Sequence, residues 1–141
     1  MRLEFHVLDT TAPRARLAHL IRLLERLWPE HPCDVRLPDG DAARRLDLQL
    51  WRLAPEAFLP HALGEEAPQA HIRLWGETVP AHGTVLVNLH PQLCAHWRGY
   101  EHVIELLDQS PELLERGRDR WRAYRAAGVT PTLIKPEEAT A

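Results

Sequence analysis

Thr84-Val85-Leu86-Val87-Asn88-Leu89 is a nearly continuous apolar run, and His90-Pro91 follows it at once. A short apolar run without alternation is typical of a strand that is buried on both faces, as in a parallel sheet. Residues 3–8 alternate apolar and polar side chains and then become fully apolar, which predicts a further strand near the start of the chain. A buried run of this kind indicates a sheet covered on both faces.

Strand and helix patterns alternate on both sides of this run. Ser110-Pro111 opens the last helix with a cap residue and a proline at the first position, and residues 58–61 are interpreted as an apolar loop. Residues 101–107 fit a strand or a helix, and we favour the strand. Helical spacing predicts helices in residues 13–28, 41–51 and 111–127, and further strands are predicted in residues 33–37 and 71–75. This order predicts an α/β sandwich with a largely parallel sheet.

Length and composition fit one soluble domain. The chain has 141 residues and a formal net charge of -3, and its two cysteines, Cys33 and Cys94, match no metal-binding spacing. We expect a single α/β domain in residues 1–129 and a partly mobile C-terminal tail in residues 130–141. The absence of a leader pattern and of any long apolar run predicts a cytoplasmic protein without a membrane partner.

The residues that enzymes use for nucleophilic or nucleotide chemistry are scarce. Ser110 is the single serine and is interpreted as a helix cap, and the nine histidines are interpreted as scattered surface and loop residues. The first strand-to-helix turn, residues 9–13, has no glycine to cradle a phosphate. We therefore expect no enzyme activity, metal, cofactor or nucleotide site, and keep an enzyme within this α/β layout only as an alternative.

The last helix is the most basic part of the chain. Residues 115–125 hold five arginines and two acids, a formal charge of +3 in a chain of net charge -3. The spacing i, i+3, i+4 and i+7 puts four side chains on one helical face: Arg118, Trp121, Arg122 and Arg125. Such a face could bind an anionic group with an aromatic or apolar end. Alternatively, the arginines complement the helix dipole while Trp121 packs on the sheet.

Two further aromatic residues have open interpretations. Trp51 lies off the row formed by Leu46 and Leu50, so it is either the edge of the core or an exposed anchor. Phe58, followed by Leu59-Pro60, either plugs the core or forms a protein-docking patch.

The chain resembles the family of chi subunits of bacterial DNA polymerase III holoenzyme. The resemblance covers nearly the whole chain in the family's order. It rests on Phe5-His6-Val7-Leu8-Asp9, Leu50-Trp51, Phe58-Leu59-Pro60-His61, Val87-Asn88-Leu89 and the arginine-rich segment in residues 118–128.

The resemblance implies a non-catalytic replisome adaptor with a three-layer Rossmann-like fold that has no nucleotide site. Chi-family proteins join the psi subunit of the clamp loader to the acidic C-terminal tail of single-stranded-DNA-binding protein, which ends in Pro-Phe. Carried over by motif, the tail-binding residues are Trp51, Arg118, Trp121 and Arg122, and psi docks on Phe58 with Leu59 and Pro60.

Physical chemistry adds details to this expectation. Trp51 and Trp121 would form the walls of a slot for the terminal phenylalanine, and Arg125 would steer the acidic residues of the tail. Contact with nucleic acid would then be only indirect. The alternative is a module that binds single-stranded nucleic acid directly through the arginines and tryptophan of the last helix.

Overall fold

The computed structural model describes residues 1–53 and 58–136. The helices are α1 (Pro13–Leu27), α2 (Gly40–Leu53) and α3 (Pro111–Ala126), and a short 3-10 helix covers Trp97–Gly99. The strands are β1 (Arg2–Val7), β2 (Cys33–Arg36), β3 (His61–Leu63), β4 (Ile72–Trp75), β5 (Gly83–Asn88), β6 (Tyr100–Leu107) and β7 (Thr132–Ile134). Within these residues, none of the helices combines the length and apolar content needed to cross a membrane.

The strands form one sheet in the order β3-β4-β2-β5-β6-β1-β7, and every neighbouring pair is parallel. The apolar run that includes β5 lies in the middle of the sheet, as its composition predicts. Residues 101–107 lie in β6, which confirms the strand interpretation of that segment.

Two hydrophobic clusters cover the two faces of the sheet and make the fold a three-layer α/β sandwich. On one face, α1 and α2 contribute Leu20, Leu24 and Leu50 to the first cluster. On the other face, α3 contributes Tyr124, which packs edge-on against Trp97 with ring centroids 5.0 Å apart. The predicted Rossmann-like architecture is confirmed.

Two short strands fall in segments that the sequence pattern did not identify as strands. His61, which we placed in an apolar loop, begins β3 and pairs with Ile72 of β4. Thr132–Ile134, which we placed in the tail, forms β7 and pairs with β1, with Leu133 opposite Phe5. Three residues are too few to show alternation, and the pairing partners are distant in sequence. The sheet therefore continues past residue 129, and residues 137–141 of the predicted tail lie outside the described residues.

Aspartate side chains organise the backbone at the starts of α2 and α3. Asp39 caps α2, since its Oδ1 accepts the backbone N–H of Ala42 at 2.8 Å. Ser110 is the N-cap residue of α3 and Pro111 follows it at the first position, as predicted, but the Ser110 hydroxyl makes no capping hydrogen bond. Instead, the buried carboxylate of Asp108 accepts the backbone N–H of Ser110 at 2.9 Å, which organises the turn before the helix.

A glycine turn ends α3 and directs the chain toward β7. The backbone N–H of Gly128 bonds to the carbonyl of Arg125, and that of Val129 bonds to the carbonyl of Tyr124, both at 3.0 Å. This is the Schellman arrangement, in which the residue after the cap adopts the left-handed conformation, and Gly128 has φ +89°. The turn returns the chain to the edge of the sheet beside β1.

Candidate functional site

A buried polar network fixes α3 on the sheet. The carboxylate of Glu105, at the centre of β6, accepts hydrogen bonds from Arg120 Nε at 2.9 Å, Tyr124 Oη at 2.6 Å and Asn88 Nδ2 at 2.9 Å. Burial raises the pKa of the Glu105 carboxyl, and the Arg120 guanidinium opposes that shift. Because Arg120 is paired with Glu105 inside the protein, it contributes no charge to the outer surface of α3. The formal charge of +3 for residues 115–125 includes Arg120 together with the exposed arginines.

Close contact between α3 and the sheet depends on Gly117. A Cβ atom at this position would lie 2.5 Å from Leu107 Cδ1, well inside van der Waals contact. The small residue therefore lets the helix approach β6 closely, and the side chains on either side of the buried face are held at a fixed height above the sheet.

The predicted basic face is present on α3, and we call Arg118, Trp121, Arg122 and Arg125 the arginine face. All three arginines are exposed, whereas Trp121 is half-buried and packs edge-on against Phe5 of β1 with ring centroids 5.0 Å apart. Arg122 Nη2 pairs with Asp119 Oδ1 at 2.6 Å. Among the described residues, no carboxylate lies within ion-pair distance of Arg118 or Arg125, so these two cations are available to an anion.

The arginine face borders apolar side chains at the edge of the sheet. On the opposite flank of α3, Arg116 and Ala123 line a small cavity against residues 91–93. The flank that carries Trp121 faces β1, because Trp121 packs on Phe5. Leu133 of β7 lies beside Phe5 in the strand pairing, and its side chain is 54 % exposed. We call Trp121 and Leu133, the two accessible apolar side chains on either side of Phe5, the α3–β7 patch.

Trp51 does not lie beside this patch, so the predicted slot with Trp51 and Trp121 as its two walls is wrong. Trp51 is on α2, which packs on the opposite face of the sheet from α3. Its ring is 59 % exposed and lies 4.3 Å from the ring of His61 in β3, and four strands separate β3 from β1. The periodicity of α2 shows that Trp51 is exposed, but it does not show which face of the sheet α2 covers.

A second exposed aromatic site lies at the β3–β4 edge of the sheet. Phe58 is 75 % exposed, and its ring packs edge-on against Trp28 at 5.7 Å, which in turn packs on His71 at 5.6 Å. We call Phe58, Trp28 and His71 the Phe58 surface. Leu59 is buried in the core, and its part in docking stays a prediction. Pro60 is half-buried, and its carbonyl accepts the N–H of Ile72 at 3.1 Å.

The region where Rossmann-like folds commonly hold a ligand is a crevice here too. It has a volume of about 550 Å³ and lies between α1 and α2, at the carboxyl ends of the strands. Its lining combines leucines (Leu17, Leu37 and Leu89) with arginines (Arg14, Arg16 and Arg45). Pro13 at the start of α1 removes one of the backbone donors that a phosphate would use.

The described residues contain no cluster of three or more His, Cys, Asp or Glu side chains suited to a metal ion. Cys33 and Cys94 are buried free thiols. Burial raises the pKa of Cys33 to about 12 and raises that of Cys94. These thiols remain protonated near neutral pH, which makes them poor nucleophiles.

Comparisons with known proteins agree on one family. The family model described as "DNA polymerase III chi subunit, HolC" matches residues 1–132. The chain is 35 % identical to the DNA polymerase III subunit chi of Pseudomonas aeruginosa over 130 residues, which cover 90 % of this chain and 91 % of that protein. It is 29 % identical to the DNA polymerase III subunit chi of Escherichia coli over 94 residues, or 64 % of each chain.

Proposed function

Because the chain belongs to the family of DNA polymerase III chi subunits, we propose that it is a non-catalytic adaptor that links the clamp-loader complex to single-stranded-DNA-binding protein. Family membership supports an accessory role in the replisome. The two links of the adaptor, one to psi or an equivalent subunit and one to the acidic C-terminal tail, are our proposal.

We assign the tail to the arginine face and the α3–β7 patch. The observation that carries this assignment is the combination of two cations, Arg118 and Arg125, that have no carboxylate partner among the described residues, with a half-buried indole and an exposed leucine. A peptide that ends in phenylalanine offers a ring, a terminal carboxylate and further acidic groups. The ring can pack on the α3–β7 patch while the guanidinium groups pair with the carboxylates.

We assign the clamp-loader partner to the Phe58 surface. An aromatic side chain that is three-quarters exposed is costly to leave in water and is typical of the anchors at protein interfaces. Burial of the next residue, Leu59, in the core anchors the segment that presents Phe58. Trp51 and Leu48 lie near the same edge of the sheet on α2 and are also exposed, so they can extend this surface rather than the tail site.

The test of tail binding is calorimetry with an acidic peptide that ends in Pro-Phe. We expect binding that is lost when the terminal phenylalanine is deleted and that is weakened by Arg118→Ala. The matched control is Arg116→Ala, which removes an exposed arginine from the opposite flank of the same helix. Equal affinity for the two peptides would mean a nonspecific charge contact and would contradict the proposal.

The same experiment separates the adaptor from direct binding of single-stranded nucleic acid. An adaptor binds the peptide in preference to a single-stranded oligonucleotide. It holds no oligonucleotide, so an excess of peptide has none to release. The direct-binding alternative requires saturable oligonucleotide binding that depends on Trp121 and falls steeply with salt.

A further inference from the structure

The open edge of β7 borders the arginine face. β7 pairs only with β1 in the described sheet, so the outer side of Thr132–Ile134 has no strand beside it. An edge strand presents backbone N–H and C=O groups that can pair with an added strand. Peptides that bind in this way gain affinity from main-chain hydrogen bonds and specificity from alternate side chains.

The side chains around this edge match one kind of peptide. Leu133 points to the α3 side of the sheet, because it pairs with Phe5, whose ring contacts Trp121. An apolar side chain of an added strand would pack on Leu133 and toward Trp121. Arg118 and Arg125 project from the same flank of α3, and they lack carboxylate partners among the described residues. The edge thus combines free backbone groups, an apolar contact and two cations.

We propose that an acidic peptide with an aromatic end binds as an extended strand added to β7, with its aromatic side chain on Leu133 and its carboxylates toward Arg118 and Arg125. This inference rests on the proposed tail binding and specifies its mode. Because side chains of a strand alternate between the two faces of a sheet, only every second peptide residue faces α3. The peptide backbone therefore takes part in recognition.

Backbone methylation of the peptide tests the strand pairing. Two peptides of the same sequence are made with one N-methyl group each, on neighbouring residues close to the aromatic end. In an added strand, one of the two N–H groups points to β7 and the other points to solvent. We expect one methylated peptide to bind at least about tenfold more weakly than the unmodified peptide and its neighbour to bind normally. Equal affinity for all three peptides overturns strand addition.

A substitution on the protein provides the second measurement. We expect Leu133→Ala to weaken the unmodified peptide about tenfold. Leu48→Ala is the matched control, because Leu48 is 51 % exposed on the opposite face of the sheet and should have no effect on the peptide. Circular dichroism and the melting temperature verify that both variants fold. Undiminished binding by the folded Leu133→Ala variant overturns the placement of the aromatic side chain.

The outcomes separate this inference from the proposed function. If the unmodified peptide binds and Arg118→Ala weakens it, but both methylated peptides bind normally, the adaptor proposal stands and strand addition fails. If the unmodified peptide does not bind the wild-type protein at all, tail binding and strand addition both fail.

Discussion

The sequence pattern did not reveal that several histidine side chains are buried. Five of the nine histidines, which we interpreted as surface and loop residues, have buried side chains: His6, His19, His61, His90 and His102. Some of their hydrogen-bond partners are local and others come from distant elements, and the distant ones leave no signal in the local sequence. His61, for example, bonds through Nδ1 to the carbonyl of Leu59 at 2.8 Å and reaches the carbonyl of Asp47 in α2 at 3.2 Å.

A chain of hydrogen bonds joins two of these histidines beneath α1. His6 Nε2 lies 3.2 Å from Glu4 Oε1, and His6 Nδ1 lies 3.0 Å from His19 Nε2. If His6 donates to the carboxylate, its Nδ1 accepts from His19, and His19 Nδ1 is left as an acceptor without a partner among the described residues. Burial, with the neighbouring His6 as a smaller cause, lowers the pKa of His19 to about 4.

This lowered pKa predicts a loss of stability in mild acid. In the unfolded chain, His19 takes up a proton near its ordinary pKa of 6.5, whereas folded His19 stays neutral down to about 4. Acid therefore favours the unfolded state in this window, and His19 alone should lower the free energy of unfolding by about 2 kcal/mol between pH 7 and pH 5. His6 and His90, whose pKa values burial also lowers, add to the fall. Urea unfolding at the two pH values measures the total. His19→Gln should reduce the fall by about the His19 contribution, and His82→Gln, an exposed control, should leave it unchanged. Identical pH dependence in all three proteins would contradict the role of His19.

At the scale of secondary structure, the sequence of α3 predicts its exposed arginine face but does not predict the burial of Arg120. Its i, i+3, i+4, i+7 spacing predicts the arginine face, because a helix brings those positions together whatever it packs against. The burial of Arg120 is not predictable from the same pattern, since its partner Glu105 lies on β6. The neighbouring Leu133 was missed for a similar reason: a three-residue strand has no period to detect.

Loss of two arginines from α3 should weaken tail binding. We expect Arg118→Ala combined with Arg122→Ala to lower peptide affinity tenfold or more, since each charge-assisted hydrogen bond contributes roughly 1.5–3 kcal/mol. Arg122 should contribute less than Arg118, because it already pairs with Asp119 and is solvated. Calorimetry at two salt concentrations should show weaker binding at the higher one. An unchanged affinity in the double variant would remove the arginine face from the tail site.

The turn at the end of α3 should depend on glycine. Gly128→Ala places a side chain on a residue with φ +89°. No atom lies within 4 Å of the added Cβ, so the substitution causes no steric clash. The cost is the strain of the left-handed backbone conformation, which should lower the free energy of unfolding by about 1–2 kcal/mol. Thermal or urea unfolding measures the loss. Gly40→Ala at the start of α2 is the control, because its φ is not positive and its nearest neighbour is the flexible Arg44 side chain. Equal stabilities would mean that the turn relaxes without strain.

At the scale of the whole molecule, alternation of strands and helices predicts the fold class, but it does not predict the order of strands in the sheet. That order decides which exposed residues become neighbours. It puts Trp51 near the β3 edge and Trp121 near the β7 edge, on opposite faces. The resemblance to a family identified candidate residues, and the sheet order divides them between two surfaces.

The separation of the two surfaces predicts independent binding. Phe58→Ala should weaken a psi-like partner by about 2 kcal/mol or more, the usual cost of removing an aromatic anchor, and should leave tail-peptide affinity unchanged. Arg118→Ala should have the reverse effect. The affinity of the protein for the tail peptide should be the same, within experimental error, whether or not the psi-like partner is bound, and the converse should also hold. If Phe58→Ala abolishes cooperative unfolding, Phe58 stabilises the fold and the assignment of docking to this residue fails.

The pairing of β1 with β7 also has a consequence for the timing of synthesis. The ribosome makes Phe5 long before Leu133, and the tail site as we propose it needs both residues. A nascent chain therefore cannot recruit the tail while residues 129–134 are still inside the ribosome, even if the other strands have already assembled. If the tail binds as we propose, competence for it arises only once the edge strand has docked, and a half-made protein does not occupy single-stranded-DNA-binding protein.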